Sequence, residues 1–261
     1  MRYIFDHDLH IHSYLSLCSN NPEQNKDNIL KYAVDNGLKT ICLTDHYWDE
    51  SVPYEGLIDF YVKQDTAHIK KALPLPKADG VRFLFGCETD LAKDLTLGIS
   101  RAMIDELDFI IIPTNHLHMH GFTCRGNEGV EERARLCVDR FDAVLNMDLP
   151  FHKIGMAHFT CGLIMKGRYI EVLDAISNFD LHRIFAKAAL RGVGIELNFP
   201  AKMPEEHMAS MLRPYLIAKE EGCLFYFGSD AHGPKELAAE KENAETIIDL
   251  LDLTEDMKFS I

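Results

Sequence analysis

Short apolar runs alternate along the chain with longer segments in which apolar residues recur every three or four positions. The first pattern predicts strands and the second predicts helices. The apolar runs place strands at residues 3–9, 39–43, 81–86, 108–113, 153–158, 192–197 and 223–228. The segments between them place helices near residues 24–36, 55–72, 98–106, 128–147, 169–190 (as one helix or two), 204–221 and 234–251. Seven β-then-α units therefore follow one another.

This order of elements favours a closed α/β fold. Mostly apolar strands joined by helices are typical of a parallel sheet that is covered on its outer face. At 261 residues, closure into a barrel is favoured over two open sheets. We therefore expect a seven-stranded relative of the (β/α)8 TIM barrel, with residues 1–261 forming a single domain.

Composition and charge limit the partners. The chain is 47% hydrophobic and 26% charged, and its formal net charge is -14. A strongly acidic protein is a poor partner for nucleic acid or for an acidic membrane surface, so we expect a small substrate. The seven cysteines include no CxxC pair, and no apolar stretch has the length of a signal peptide core or a membrane span. These features predict a reduced, cytoplasmic protein, and they leave its oligomeric state open.

Every predicted strand ends in a histidine or a carboxylate. These residues are His10, His12, Asp45, His46, Glu88, Asp90, His116, His118, His120, His158, Glu196, Asp230 and His232. In a parallel barrel all strand ends of this kind lie on one face. One histidine after a strand is usually a hydrogen-bonding loop residue, but so many acids crowded at one rim need a cation. Imidazole with carboxylate suits zinc first, with manganese or iron as alternatives, and the number of ligands implies two or three divalent ions.

The ordered set of motifs resembles the PHP (polymerase and histidinol phosphatase) family of metal-dependent phosphoesterases. The motifs are HxH after strand one, TDH after strand two, a Glu after strand three, single histidines after strands four and five, and GSDAH after strand seven. The resemblance covers essentially the whole chain, and it implies a distorted seven-stranded TIM-like barrel with a trinuclear site. The first ion would be held by His10, His12, Glu88 and Asp230. The second would be held by Glu88, as a bridge, with His116 and His158. The third would be held by His46 and His232.

One position departs from the family pattern. Many relatives carry a histidine six residues after the HxH pair, and this chain has Cys18 there. Cysteine can bind zinc as a thiolate, so Cys18 is a candidate ligand of the third ion. Alternatively it is a buried thiol, and the third site is weak or empty.

The residues that would hold the substrate are less marked. Family phosphatases often carry an arginine shortly after the histidine of the fifth strand, and here Arg168 comes later than that position. Arg125, in the loop after strand four, is the other candidate for a guanidinium that clamps phosphate. Either arginine could equally be a solvated loop cation. His118 and His120 are candidates for groups on the substrate side, although a solvated loop explains them nearly as well.

The resemblance implies hydrolysis of a small phosphomonoester, with histidinol phosphate as the suggested substrate. Two ions bridged by Glu88 would lower the pKa of a shared water so that it attacks phosphorus, and we place Glu88, Asp230 and His232 in the catalytic group. One alternative is a phosphodiesterase or exonuclease, which the acidic charge disfavours. Another is a degenerate metal-binding regulatory module, which the retained ligand set disfavours.

Overall fold

Seven parallel strands stand side by side in chain order in the computed structural model, which describes residues 1–261. They are β1 (His7–Ile11), β2 (Thr40–Leu43), β3 (Arg82–Thr89), β4 (Phe109–Pro113), β5 (Ile154–Ala157), β6 (Gly194–Leu197) and β7 (Leu224–Phe227). A two-residue strand, His46–Tyr47, pairs with the end of β3. The chain after β7 returns to β1, where the N–H of His12 donates to the carbonyl of Ala231. The predicted α/β barrel of seven strands is confirmed, and the ring is nearly closed.

Nine helices lie between the strands or after the last of them. They are α1 (Lys26–Asn36), α2 (Asp59–Val62), α3 (Thr66–Ile69), α4 (Arg101–Glu106), α5 (Val130–Asn146), α6 (Tyr169–Ala175), α7 (Asn178–Arg191), α8 (Glu205–Glu220) and α9 (Pro234–Leu251). None of them has an apolar stretch long enough to cross a lipid bilayer. The segment predicted as one helix over residues 55–72 is instead two single-turn helices and a 3-10 turn. Asp65 interrupts it, because its side chain accepts from the N–H of His68 and so starts a new helix.

The first strand also differs from its prediction, since it covers His7–Ile11 rather than residues 3–9. Tyr3 and Phe5 are apolar for another reason: both rings pack edge-on against Phe227. The pairing of β1 with β2 shifts register between Asp8 and Ile11. Such an irregularity breaks the inside–outside alternation of a strand and re-aims its side chains.

Two apolar layers lie on either side of the sheet. A cluster of sixty buried residues includes Ile110, Ile112 and the helix residues packed against them. A separate cluster of eight buried residues includes Leu84, Phe109 and Tyr226, and it fills the interior of the ring. Side chains alternate along β3, so Glu88 faces the same way as Leu84. The interior is therefore apolar below and ends in a carboxylate at the mouth.

Candidate metal centre

Three groups of histidines and carboxylates converge at the carboxyl ends of the strands. Within each group, one ligand atom per residue lies within 4.8 Å of those of the other members. The first group is His10, His12, Glu88 and Asp230. The second group is Glu88, His116 and His158. The third group is His12, His46 and His232. The structure thus brings eight of the nine predicted ligands into these groups, and Cys18 is the ninth.

Glu88 lies at the centre of the site and is 1% exposed. Its Oε2 is 2.9 Å from Nδ1 of His46 and 3.3 Å from Nε2 of His12. Its Oε1 is 3.2 Å from Nε2 of His158 and 3.8 Å from Nε2 of His116. Each carboxylate oxygen therefore faces a different group of imidazoles.

The two histidines of the HxH motif are held by residues behind them. Nδ1–H of His10 donates to Oε1 of the fully buried Glu196 over 2.7 Å. Nδ1–H of His12 donates to Oγ of Ser16 over 2.9 Å, and Ser16 donates in turn to Asp45. These contacts keep a proton on each Nδ1 and turn both Nε2 atoms into the site.

Three further histidines are oriented in the same way. Nδ1–H of His116 donates to Asp90, which also accepts from the hydroxyl of Tyr61. Nδ1–H of His158 donates to Oδ1 of Asn115, and the amide N–H of Asn115 donates to the carbonyl of His158. Nδ1–H of His232 donates over 2.7 Å to the carbonyl of Asp230. In each case Nε2 is left as the inward-facing atom.

This arrangement fits divalent cations. Nε2 of His10 and Nε2 of His12 are 3.0 Å apart, and Oδ1 of Asp230 is 3.0 Å from the latter. Lone pairs and carboxylates this close repel one another unless a proton or a cation lies between them. Oε2 of Glu88 and Nδ1 of His46 are buried without a well-formed hydrogen bond. Nitrogen and oxygen donors of this kind suit zinc, manganese or iron.

In the metal-free protein, protons balance the acids instead. Burial disfavours the charge on His12, but hydrogen bonds to Asp230 and Glu88 outweigh it and raise the pKa of His12 to about 9. For His116, burial is outweighed by the charge of Asp90, and the pKa is again about 9. Burial opposes ionisation of Glu88, yet the charges of His46 and His10 hold its pKa well below the ordinary value.

A pocket of about 320 Å³ opens above the ligand groups. Glu88, His116 and His232 are among the residues that line its polar side. An apolar side next to these residues includes Phe60, whose ring centroid is 5.1 Å from that of His46. The site is therefore a polar floor beside an apolar wall.

A family model described as the PHP domain matches residues 8–200. The chain belongs to the PHP family of metal-dependent phosphoesterases. The predicted family and enzyme class are thereby confirmed. The fold is similar to that of a histidinol phosphate phosphatase from Lactococcus lactis, solved with zinc, L-histidinol and phosphate. That match has a TM-score of 0.54 at 16% sequence identity and covers 98% of this chain and 99% of the other. No curated protein sequence matches this chain.

The residue that departs from the PHP pattern lies at the rim of the pocket. Sγ of Cys18 is 3.0 Å from Nε2 of His232, although Cys18 falls outside the third group. Cys18 is exposed, so the alternative of a buried thiol is wrong, yet desolvation of its sulfur and the charges of Glu88 and Asp230 raise its pKa to about 12. Cys18 is therefore a neutral thiol in the metal-free protein, and only a bound cation would make it a thiolate.

Neither candidate arginine lines the pocket. The guanidinium of Arg125 lies 3.6 Å from Glu128 and 3.4 Å from Glu132, at the start of α5. Arg168 is exposed and pairs with Glu171 at 2.6 Å. Both guanidinium groups are thus engaged by neighbouring glutamates, away from the ligand groups.

The two remaining candidates for the substrate side, His118 and His120, lie in different places. His118 lines the pocket, and burial together with the charge of His116 lowers the pKa of His118 to about 4. It is therefore neutral near pH 7. His120 is absent from the pocket lining, and its Nε2 lies 3.5 Å from a guanidinium nitrogen of Arg133.

Arg140 shapes the site although nothing in the sequence indicates this role. Arg140 of α5 is 1% exposed and donates only to backbone carbonyls. The acceptors are the carbonyls of Leu91, Ala92, Thr114 and Thr123. Arg140 thereby holds the loops that follow Asp90 and precede His116. An arginine in an amphipathic helix normally indicates a solvated face, so this role could not be read from the sequence.

The backbone is strained at two of the ligands. His158 has φ 25° and Asp230 has φ 52°, in the region that non-glycine residues rarely adopt. Such conformations cost about 1–3 kcal/mol each and persist where the surroundings impose them. Asn115 and Glu196 supply that support for His158, since they bond its carbonyl and its N–H.

Proposed function

We propose that this chain hydrolyses small phosphomonoesters with two or three divalent ions held by the three ligand groups. Zinc is the first candidate, and manganese or iron are the alternatives. The observation that carries the proposal is the position of Glu88, whose two oxygens face separate groups of imidazoles. Glu88 is a member of the first and second ligand groups, so it would help to hold an ion in each of them.

Ions bound there would act as Lewis acids on the phosphoryl group and would lower the pKa of a water near it. The residues of the chain would determine where the ions bind. Glu196, Asp90 and Asn115 fix the imidazoles behind the site, so the inward nitrogens need no rearrangement when ions bind. Asp230 and His232 come from one loop and reach the first and third groups, so that loop would couple the two sites.

The charge of the substrate phosphate would be balanced by the ions alone. No lysine or arginine lines the pocket. In a metal-dependent phosphoesterase the cations can take the role that a guanidinium has elsewhere. Arg125 and Arg168, which pair with neighbouring glutamates outside this pocket, would not hold the phosphate.

The proposal treats residues 1–261 as one catalytic domain, because the ligands extend from His10 to His232. Cys18 is proposed as a ligand of the third ion, supported by its 3.0 Å distance from His232. Histidinol phosphate remains the substrate suggested by the resemblance. Nucleic acid is a poorer candidate, because the formal net charge is -14.

Metal analysis and two aryl esters test the proposal. Protein purified without chelator should contain two or three transition ions per chain and should release the phenol from an aryl phosphomonoester. A bis-aryl phosphodiester should be hydrolysed far more slowly. Preference for the diester would favour the phosphodiesterase, and absence of metal would favour a regulatory module.

A paired substitution separates the metal site from the fold. His10→Ala should abolish turnover while the circular dichroism spectrum is unchanged. The control is His152→Ala, because His152 is exposed at the opposite end of β5. Full activity of His10→Ala would contradict the assignment.

A further inference from the structure

One wall of the pocket, beside the ligand groups, is apolar although solvent reaches it. It consists of Ile58, Phe60, Met119 and Leu163. None of these four side chains is buried, and Leu163 is 39% exposed. They come from three separate segments, so no single helix or strand requires them to be apolar. Exposed apolar side chains gathered around a cavity indicate a surface that an apolar ligand covers.

Behind this wall lies a rigid aromatic cluster. Trp48, Tyr61 and Phe122 are buried, and their ring centroids are 5.3–6.0 Å apart. Phe60 packs edge-on against Tyr61 at 5.1 Å. The wall is thus supported by packed rings and is preformed rather than collapsed into the pocket.

The same pocket offers no free carboxylate to a cationic leaving group. Its only carboxylates are Glu88 and Asp230, and both belong to the ligand groups. An ammonium group on the substrate would find no free acid to replace its water, which would cost binding energy. Its remaining imidazoles are also among the ligands, apart from His118 at the rim.

We propose that the leaving alcohol of the substrate is uncharged and apolar, of the size of an aromatic ring, and that it packs against Ile58, Phe60, Met119 and Leu163. This inference rests on the proposed phosphomonoesterase function, and it replaces histidinol phosphate as the substrate, because the leaving alcohol of that ester carries an ammonium group. The substrate class is a monophosphate of an aryl or arylalkyl alcohol, rather than of an amino alcohol. The phosphoryl end lies on the polar floor and the ring lies on the apolar wall.

Two phosphonates that cannot be hydrolysed test the inference by binding alone. Benzylphosphonate and 4-(aminomethyl)benzylphosphonate share the ring and the anion and differ by one ammonium group. Calorimetry with the metal-loaded protein should give about tenfold tighter binding of benzylphosphonate, because the ammonium is left unpaired against the wall. Equal affinities, or tighter binding of the amine, would overturn the inference.

A charge placed in the wall provides a matched control. Leu163→Glu should abolish the preference for benzylphosphonate, so that the two dissociation constants differ by about onefold. The new carboxylate can pair with the ammonium group of the amine. Leu190→Glu makes the same change in α7, where Leu190 is 87% exposed, and should leave the preference unchanged. An unchanged preference in Leu163→Glu would also overturn the inference.

Turnover of the two corresponding phosphates tests the underlying function separately. Selective binding of benzylphosphonate without phosphate release would contradict the phosphomonoesterase and leave the apolar subsite established. Phosphate release from both esters at equal kcat/KM would support the enzyme and overturn the subsite.

Discussion

Nδ1 of His10 lies 2.7 Å from Oε1 of Glu196, and both side chains are 0% exposed. The other oxygen of Glu196 accepts from the backbone N–H of His158 over 2.8 Å. One carboxylate thus fixes a side chain of the first ligand group and the backbone of the second. Glu196 is not itself in any ligand group, so it would act on metal binding only through these two histidines.

Glu196→Gln should weaken metal binding about 10–100-fold while the protein stays folded, because the neutral amide is a poorer acceptor for the imidazole N–H. Metal affinity measured by chelator competition checks this. The control is Glu221→Gln, because Glu221 accepts from Nδ1 of His182 over 2.6 Å at a site outside the ligand groups. Equal affinities in the two variants would show that Glu196 is only structural.

Metal stoichiometry should distinguish a bridging ligand from a terminal one. Glu88→Gln removes a ligand from two groups, and His116→Ala removes a ligand from one. We expect Glu88→Gln to lose two ions per chain and His116→Ala to lose one, when the purified proteins are measured by mass spectrometry. Loss of the same number of ions in both variants would rule out a bridging Glu88.

Metal affinity should depend on pH through His12 and His116. The pKa of each is raised from 6.5 to about 9, so both are protonated at pH 7 in the metal-free protein, and bound ions must displace those protons. Affinity should therefore rise between about pH 6.5 and pH 9. By the same linkage, the protons stabilise the metal-free fold below pH 6.5, and this contribution is lost as the pH rises through about 9.

Calorimetry in two buffers of different ionisation enthalpy measures the protons released at pH 7. Binding without proton release, or affinity that is flat across this range, would contradict the protonation of His12 and His116. Thermal melts of the chelated protein at the same pH values provide the second readout.

Arg140→Met should destabilise the protein by at least about 3 kcal/mol, because several buried carbonyls lose their donor at once. Denaturant unfolding of the metal-free protein measures this. Arg135→Met changes an exposed arginine of the same helix and should stay within about 0.5 kcal/mol of the wild type. A similar small effect in both variants would show that the four carbonyl contacts of Arg140 do not stabilise the loops.

The sequence was sufficient for the number and order of the strands and for the residues at their ends, although it placed the first strand at residues 3–9 instead of His7–Ile11. Strand ends in a parallel barrel share one face, so the position of a histidine or acid after an apolar run already predicts where it lies. This reasoning placed Glu88 and His158 together although they are 70 positions apart in the chain. Their convergence follows from topology, which the strand pattern reveals.

The supporting contacts were not predictable, because they join residues that share no local pattern. Asn115 looks like any loop amide, and only the fold brings it to His158, 43 positions away. The apolar wall that contains Phe60 could not be predicted, because Phe60 lies in a segment whose periodicity predicts one helix. Asp65 divides that segment, and the resulting short turn carries Phe60 to the mouth of the barrel.

The closure of the ring between β1 and the chain after β7 has a consequence for the synthesis of the protein. His10 and His12 are synthesised more than 200 positions before Asp230 and His232. A nascent chain therefore cannot complete the first and third ligand groups until Asp230 and His232 have been synthesised. Until then the imidazoles of His10 and His12 can bind other cations in the surrounding medium.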